Sequence, residues 1–311
     1  MTGGVLGLDG GGTQTRAAFS CDNRPVVGQG ISGACNLAAV PLAEALSAAR
    51  EAAEAALREA SVEAADVQAI CAGVAGTSFE KRRVAFAAGL QETFPNARIS
   101  VLPDYAIALT GATNGQPGVI VIAGTGSAAY GENVAGESHR AGAYGYLIDD
   151  AGSGYGVGRA ALAAALRAAD GTGEATTLTE RILTALGLTA LSEIVPGVYG
   201  GEISRVVIAS LARVVSEAAS QDSDSVAQAL LMRAGGALAH LTHGVTRRLF
   251  DDDTQPITVS PIGGLWNAGE ALTDVFTRSL RRFAPTAIFA PPLQPPVKGA
   301  MLRAQQMLQT L

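Results

Sequence analysis

A glycine-rich segment near the start of the chain carries residue types suited to binding phosphate and a metal ion. Val5–Asp9 is an apolar run that ends in an aspartate, Gly10–Gly12 follow it, and Thr13 precedes an alternating polar and apolar run. The two-residue alternation after the glycines is typical of a strand, so the segment predicts a β-hairpin. Backbone N–H groups and a hydroxyl at its tip suit phosphate oxygens, and Asp9 suits hydrated Mg²⁺. An ordinary glycine-rich hairpin without a ligand is an equal alternative for this segment alone.

Two better-known phosphate motifs do not fit this sequence. A Walker A loop needs a lysine after its last glycine, and the two lysines of the chain, Lys81 and Lys298, do not end such a loop. The protein-kinase pattern needs a strand lysine that contacts the phosphates, and it fails for the same reason. Any phosphate must therefore be held by backbone amides and a metal ion.

The opening pattern returns in the second half of the chain. Val119–Ala123 is an apolar run, Gly124–Ser127 is a turn of glycine and hydroxyl residues, and Ala128–Gly131 follows. The repetition predicts a duplicated architecture with a cleft between its two copies. The turn also matches the dinucleotide pattern Gly-x-Gly-x-x-Ala, but that motif must open a helix, and Tyr130–Asn133 interrupts any helical period. The sequence therefore favours a second hairpin over a dinucleotide fold.

Two aspartates stand where carboxylates could act on an alcohol substrate. Phosphate transfer to an alcohol needs charge neutralisation and a carboxylate that accepts the hydroxyl proton. Asp104 is the best candidate for this base, because it follows the strand Ile99–Leu102 and Pro103, where side chains project into the cleft of an open α/β sheet. Asp150, in the glycine-rich loop 142–158, suits the hydroxyl groups of a polar substrate. Capping of the next helix is the alternative for Asp104.

Alternating strand-like runs and helical periods predict an α/β protein with mixed sheets. The turn cluster Asn114–Gly118 divides it into a first lobe, 1–115, and a second lobe, 116–296. The helix 297–311 is expected to pack back on the first lobe. A capping box at Thr77–Glu80 predicts a helix that runs to about Thr93. Further helices are predicted at 41–60, 159–169, 176–186, 201–219 and 224–250.

Composition narrows the class of partner. The chain has 311 residues and a net charge of −6, which argues against a nucleic-acid or anionic-membrane surface and favours a small molecule. Three scattered cysteines show neither disulfide nor metal spacing, and no apolar run approaches bilayer length, so a cytoplasmic protein is expected. His240 and His243, three residues apart on a predicted helix, favour an ordinary helix-face pair over a metal site.

Six segments, in order along the chain, carry a resemblance to a known family: Leu6–Thr13, Pro103–Ala106, Ile122–Ser127, Asp150–Tyr155, Ile262–Asn267 and Lys298–Leu302. Together they resemble the N-acetylglucosamine kinase group of the BadF/BadG/BcrA/BcrD ATPase family, within the actin-like and hexokinase-like superfamily. The resemblance implies two ribonuclease-H-like (actin/hexokinase-type) lobes with a nucleotide and sugar cleft between them. It also implies phosphorylation of the 6-hydroxyl of an amino sugar by MgATP, with N-acetylglucosamine as the first choice of sugar.

The resemblance also implies a role for individual residues. Asp104 would be the catalytic base, Asp9 would bind the metal ion, and Gly263 and Gly264 would form the adenosine loop. The first phosphate loop would be Asp9, Gly10, Gly11, Gly12 and Thr13, and the second Gly124, Thr125, Gly126 and Ser127. The sugar would contact Asn36, Asp104, Thr125, Tyr144 and Asp150.

Two departures from the family pattern leave the sugar open. Tyr144 stands where vertebrate members have tryptophan, and Asp149 replaces a glycine. Glucosamine, N-acetylmuramic acid and N-acetylmannosamine are therefore alternative substrates. An ATPase-type activator without a sugar substrate is a further alternative, although the iron–sulfur cysteines of that branch are not matched here. The alanine-rich helices are compatible with a homodimer.

Overall fold

The protein forms two compact units, each built on a mixed β-sheet. The computed structural model describes residues 4–21, 26–250 and 256–309. One unit comprises Met1–Pro117 and Pro291–Leu311, and the other comprises Gly118–Ala290. Each unit contains a five-stranded sheet with parallel and antiparallel pairs, flanked by helices. The predicted α/β class is therefore confirmed.

The first unit opens with a three-stranded antiparallel meander and continues with two parallel strands. Its elements are β1 (Gly4–Gly10), β2 (Thr15–Cys21), β3 (Gly28–Ser32), α1 (Leu42–Ala60), β4 (Val67–Val74), α2 (Glu80–Thr93), β5 (Arg98–Pro103) and α3 (Asp104–Thr113). The sheet order is β3-β2-β1-β4-β5. Gly10 lies opposite Val74, and Val74 lies opposite Pro103, so three parallel strands end together. This register brings the carboxyl ends of β1, β4 and β5 to one edge of the sheet.

Small side chains allow α1 to lie close to this sheet. A Cβ built on Gly30 would collide with the Ala52 carbonyl oxygen, and one built on Gly28 would collide with that of Ala56. The buried face of α1 consists largely of alanine: Ala45, Ala48, Ala49, Ala52, Ala53 and Ala56. The alanine-rich sequence of this helix therefore serves close helix-to-sheet packing.

The second unit repeats the strand plan of the first. Its elements are β6 (Gly118–Ala123), β7 (Ser127–Glu132), β8 (Ser138–Gly142), α4 (Gly154–Ala169), α5 (Leu178–Leu186), α6 (Ile194–Gly200), α7 (Arg205–Gln221), α8 (Ser225–Leu249), β9 (Ile257–Ile262), α9 (Glu270–Phe283) and β10 (Ala287–Phe289). The sheet order is β10-β9-β6-β7-β8. Strands β6, β9 and β10 are parallel, and Ile122 lies opposite Ile262 at their carboxyl ends. The main difference from the first unit is the set of helices between β8 and β9.

The closing helix, α10 (Pro296–Gln309), belongs to the first unit and packs on its sheet. A Cβ on Gly7 of β1 would lie 2.6 Å from the Met301 amide nitrogen, so β1 and α10 approach through their backbones. Arg98 Nη1 donates a hydrogen bond to the Met307 carbonyl oxygen at 3.0 Å. Arg303 Nε donates one to Thr110 Oγ1 at 2.8 Å. These contacts join the last helix to β1, β5 and α3.

Two sequence expectations about helix starts need correction. The predicted capping box at Thr77–Glu80 is wrong, because the helix begins at Glu80, Phe79 precedes it, and no side-chain hydrogen bond caps this start. The Thr77 hydroxyl donates to the Val74 carbonyl at 2.6 Å. Helix α4 begins at Gly154, inside the segment expected to be a loop. Its start is fixed by Ser153, whose Oγ accepts from the Gly156 N–H at 3.0 Å.

His240 and His243 both contact the ring of Phe283. Their ring centroids lie 5.3 and 4.7 Å from that of Phe283. The two histidines thus take part in the packing of α8 against α9.

Across the described residues, no single helix has the length and apolar character needed to cross a membrane. The segments Leu178–Leu186 and Leu191–Gly200 meet that criterion only as a pair, with a bend of 60° between them.

Candidate active site

The first glycine turn is the tip of a β-hairpin, as predicted. β1 pairs with β2 so that Asp9 lies opposite Arg16 and Gly10 lies opposite Thr15. The Gly11 N–H donates to the Gln14 carbonyl at 3.0 Å and closes the turn. Gly12 and Thr13, at the tip, are exposed to solvent. Their backbone and hydroxyl groups are accessible to a ligand.

Backbone hydrogen bonds from two neighbouring segments hold this turn in place. The Ala75 N–H donates to the Gly10 carbonyl, and the Cys35 N–H donates to the Gly11 carbonyl, each at 2.9 Å. A Cβ on Gly10 would lie 3.0 Å from Cys35 Sγ, so a larger residue would displace the support. Asn36 follows directly, and its Nδ2 lies 3.9 Å from the position of a Cβ on Gly12. The structure thus brings Asn36 beside the first glycine turn.

Asp9 and Asp104 lie at the carboxyl edge of the same sheet. Asp9 is near the end of β1, and Asp104 follows β5 as the first residue of α3, two strands away in the sheet. Burial of the carboxyl group and repulsion from Asp104 raise the pKa of Asp9, and attraction to Arg16 lowers it. The resulting pKa is about 6, above the ordinary value of 3.8. Burial also raises the pKa of Asp104, although its Oδ1 accepts a hydrogen bond from the Tyr105 N–H at 3.0 Å. Carboxylates with raised pKa values are suited to accept a proton near neutral pH.

The two carboxylates at this edge suit a magnesium ion that keeps several of its water ligands. Within residues 4–21, 26–250 and 256–309, no group of three or more His, Cys, Asp or Glu side chains forms a cage for a metal ion. Mg²⁺ commonly keeps several waters and binds through one or two carboxylates together with substrate phosphates. Asp9, beside an exposed glycine turn and near Asp104, offers that limited set of ligands.

The second glycine turn also closes a hairpin. The Gly124 N–H donates to the Gly126 carbonyl at 3.0 Å, and the Gly154 N–H donates to the Gly124 carbonyl at 2.7 Å. Strand β7 follows at Ser127, which confirms that this turn does not open a helix as a dinucleotide motif would. Thr125 is exposed at the tip, whereas Ser127 is buried. The N terminus of α4 therefore supports this turn from one side.

The Gly263–Gly264 loop packs against the same turn. Gly263 has φ = +105°, and a Cβ there would lie 2.5 Å from the Ala123 carbonyl oxygen. Glycine is needed at this position for both reasons. After it, the 3-10 turn Gly264–Ala268 is held by Trp266, whose Nε1 donates to the Val121 carbonyl at 2.9 Å. The two glycine segments predicted from sequence thus meet at one edge of the second sheet.

A cavity of about 620 Å³ opens beside these two loops. A volume of this size falls within the range of small-molecule sites. Its walls combine the second turn, the Gly263–Gly264 loop region and one face of α7. The lining residues are Gly124, Thr125, Gly154, Val206, Ala209, Ser210, Ala212, Arg213, Ser216, Gly264, Leu265, Asn267 and Ala268. Alanine and serine residues provide most of the α7 wall of this cavity.

Sequence analysis missed the contribution of α7. The available signal was the run of small residues at Ala209, Ala212 and Ser216, which recur at the three- and four-residue spacing of one helix face. The same spacing is common in helices that pack closely on a neighbour, so it does not indicate a ligand by itself. The cavity that these α7 residues line together with Gly124 and Gly264 becomes visible only in the folded unit.

Two of the three predicted sugar residues of the second unit, Asp150 and Tyr144, have different environments. Asp150 is buried, and its Oδ1 accepts a hydrogen bond from the Ser127 N–H at 2.9 Å. Its Oδ2 has no hydrogen-bond partner among the described residues, and Arg205 Nη2 lies 3.7 Å away. Tyr144 is 59% exposed on the loop before Asp150. Asp150 therefore lies against the second turn, whereas Tyr144 faces solvent.

Two kinases and one crystal structure are similar to this chain over most of its length. The N-acetylmuramic acid/N-acetylglucosamine kinase of Clostridium acetobutylicum is 31% identical over 276 residues, which cover 89% of this chain and 90% of that protein. The N-acetyl-D-glucosamine kinase of Dictyostelium discoideum is 29% identical over 309 residues, covering 96% and 97%. The crystal structure of a candidate N-acetylglucosamine kinase from Chromobacterium violaceum matches with a TM-score of 0.77 and 28% identity, covering 96% and 98%. The profile of one family matches residues 6–304, and the chain therefore belongs to the BadF/BadG/BcrA/BcrD ATPase family.

Proposed function

We propose that this protein is an ATP-dependent amino-sugar kinase that phosphorylates the 6-hydroxyl of N-acetylglucosamine. The observation that carries the proposal is the pair of acids, Asp9 and Asp104, at the carboxyl edge of one sheet beside an exposed glycine turn. The names of the Clostridium and Dictyostelium relatives support the choice of substrate.

Asp104 is the proposed catalytic base. In this role its carboxylate would accept the proton of the sugar 6-hydroxyl while the hydroxyl oxygen bonds to the γ-phosphorus of ATP. The bond from the γ-phosphorus to the bridging oxygen breaks, and ADP leaves with that oxygen. Its raised pKa suits proton transfer near neutral pH, and its place at the start of α3 gives it a fixed backbone. Positioning of the hydroxyl and acceptance of its proton are the two contributions expected of this residue.

Asp9 and the first turn are proposed to bind the metal-bearing end of the nucleotide. The Asp9 carboxylate would hold Mg²⁺ through its water shell, and Gly10, Gly11, Gly12 and Thr13 would donate to phosphate oxygens. Mg²⁺, when bound, supplies neutralising charge to the transferring phosphate. The lack of a lysine in this segment makes such neutralisation necessary.

The cavity of the second unit is proposed to hold adenosine. Gly263 and Gly264 would contact the nucleoside, and Gly124, Thr125, Gly126 and Ser127 would contact phosphate oxygens. The volume of about 620 Å³ and the small residues of α7 support this assignment. Because Asp150 already accepts the Ser127 N–H, the other groups of this turn must provide most of the phosphate contacts.

The family resemblance assigns sugar recognition to five residues: Asn36, Asp104, Thr125, Tyr144 and Asp150. N-acetylglucosamine is preferred, and glucosamine is the alternative substrate because it differs by the acetyl group alone. An ATPase-type activator without a sugar substrate is the alternative from another functional class.

The three cysteines are unpaired, and ATP is a cytoplasmic substrate, so we also propose a cytoplasmic location. The homodimer stays a prediction that sedimentation equilibrium would test.

A coupled ADP-release assay over five sugars tests the proposal. Glucose, glucosamine, N-acetylglucosamine, N-acetylmannosamine and N-acetylmuramic acid would be compared with a reaction that contains no sugar. We expect ADP release to depend on sugar, to be fastest with N-acetylglucosamine, and to stop with EDTA and resume with excess Mg²⁺. Sugar-independent ADP release at the same rate would favour the activator and contradict the kinase.

A further inference from the structure

Arg205 places a positive charge directly beside the second glycine turn. It is the first residue of α7, and its side chain is 41% exposed. A Cβ built on Gly126 would lie 3.6 Å from Arg205 Nη2. The guanidinium is therefore within contact distance of the turn to which phosphate binding is assigned.

Two neighbours hold the guanidinium there without using its hydrogen-bond donors. Asp150 Oδ2 is 3.7 Å from Nη2, which is a charge interaction but too long for a hydrogen bond. The ring of Tyr146 packs against the guanidinium, with Cζ 4.8 Å from the ring centroid. Within the described parts of the chain, the N–H groups of Arg205 donate no hydrogen bond to protein. They are available to a ligand that enters beside the turn.

The position of Arg205 relative to the cavity indicates which part of a nucleotide it would meet. The next residue, Val206, lines the cavity together with Ala209 and Arg213 on later turns of α7. Gly264 lies on the side assigned to adenosine, whereas Arg205 lies by Gly126, on the side assigned to phosphate. Arg213 also lines the cavity, but its Nη1 is 3.6 Å from Glu217 Oε1, which offsets its charge.

We propose that Arg205 is a nucleotide-binding residue that donates hydrogen bonds to a phosphate oxygen of ATP. A guanidinium makes charge-assisted hydrogen bonds to phosphate, and these are about twice as strong as neutral ones. It would thus provide the cationic side chain that a Walker lysine provides in other phosphate sites. This inference rests on the proposed function, since it assumes that the second turn binds ATP.

Calorimetric binding of three probes to Arg205→Gln and Arg205→Lys tests the inference. The probes are adenosine, ADP and a non-hydrolysable ATP analogue with Mg²⁺. For Arg205→Gln we expect Kd for ADP and the analogue to rise about 10- to 100-fold, with Kd for adenosine within about twofold of wild type. Arg205→Lys keeps the charge and should give an intermediate loss. Arg278→Gln, at an exposed position on α9, removes the same charge and should bind all probes as wild type does.

A second comparison separates ligand binding from the neutralisation of Asp150. If Arg205 served only to compensate that buried carboxylate, adding Asp150→Asn to Arg205→Gln would restore the affinity for the ATP analogue. We expect the double variant to stay weak. Restored affinity, unchanged affinity of Arg205→Gln, or an equal loss for adenosine would each overturn the inference. If the wild-type protein binds ATP but phosphorylates no sugar, the proposed function is overturned and this inference stands.

Discussion

The two units share a strand plan but carry different chemistry at the corresponding edge. In each, an antiparallel hairpin with a glycine turn is followed by a third antiparallel strand and by two parallel strands. The edge of the first unit bears Asp9 and Asp104, both with raised pKa values. The edge of the second unit bears glycines, small residues of α7 and a cavity of about 620 Å³. One scaffold therefore presents two acids in one copy and a cavity of small-molecule size in the other.

The difference arises from the segments that connect the later strands of each unit. In the first, β5 ends in Pro103 and leads directly into α3, so a carboxylate is fixed at the strand end. In the second, the segment between β8 and β9 contains α4 to α8, and α7 forms one wall of the cavity. We infer that the first unit supplies the proton acceptor and metal ligand and that the second supplies the nucleoside site. Variants that act on one edge alone should separate these two contributions.

Removing the proposed base should have the largest effect. Asp104→Asn keeps the shape of the side chain but cannot accept the hydroxyl proton, so we expect kcat to fall by about 10²- to 10⁴-fold. Calorimetric affinities for the ATP analogue and for the sugar should stay within a few-fold of wild type. Asp66→Asn, at a half-buried position in the same unit, is the matched control and should keep normal turnover. Near-normal kcat in Asp104→Asn would reject its role as the base.

Filling the cavity of the second unit should weaken ATP binding with little effect on the chemical step. Ala209→Phe adds a ring to the α7 wall, and we expect KM for ATP to rise about 10- to 100-fold. KM for the sugar and kcat at saturating ATP should change by less than about threefold. Ala169→Phe, at the exposed end of α4, provides the same substitution outside the cavity. A rise in KM for the sugar with no change for ATP would reverse the assignment of this cavity.

The acid pair should make stability depend on pH. The pKa of Asp9 is about 6 in the folded protein, above its ordinary value of 3.8, so the folded state binds more protons than the unfolded chain between these values. The free energy of unfolding should therefore fall as pH rises through this window. Asp9→Asn should reduce that fall in the free energy of unfolding by on the order of 1–2 kcal/mol. Asp104 should account for part of the pH dependence that remains in this variant. Urea unfolding from pH 4 to 7 measures this, and parallel profiles for wild type and variant would contradict it.

The smallest effect concerns the loop that packs on the second turn. Gly263→Ala should destabilise the protein by about 1–2 kcal/mol, because its φ of +105° and the nearby Ala123 carbonyl both oppose a Cβ. Gly264→Ala has open space around the new methyl group and should change the free energy of unfolding by less than about 1 kcal/mol. Thermal unfolding of the two variants would decide between strain at one residue and general sensitivity of the loop.

The sequence was most informative where glycine and alternation coincide. Both hairpins were predicted, because three glycines after Asp9 and the Gly124–Ser127 turn each separate an apolar run from a strand-like run. The strand before Asp104 was also predicted from a short apolar run that ends at proline. These features are local, so the residues that define them lie next to each other in sequence.

Features that depend on distant residues were missed or misjudged. The α7 wall of the cavity, the contact of Arg205 with the second turn and the bond between Asp150 and Ser127 all join residues far apart in the chain. The short strands β3, β8 and β10 were not predicted, since their pairing partners supply the hydrogen bonds that a short segment lacks alone. The capping box at Thr77 failed for a local reason, because the residue that precedes the helix is Phe79 and not Thr77.

Identification of the reaction product by phosphorus NMR tests the central claim most directly. Wild-type protein, MgATP and N-acetylglucosamine would be incubated together and the products quantified. We predict equal amounts of ADP and of a sugar phosphate whose phosphorus couples to the protons on carbon 6. Inorganic phosphate formed without sugar phosphate, or a phosphate attached to another hydroxyl, would contradict the account.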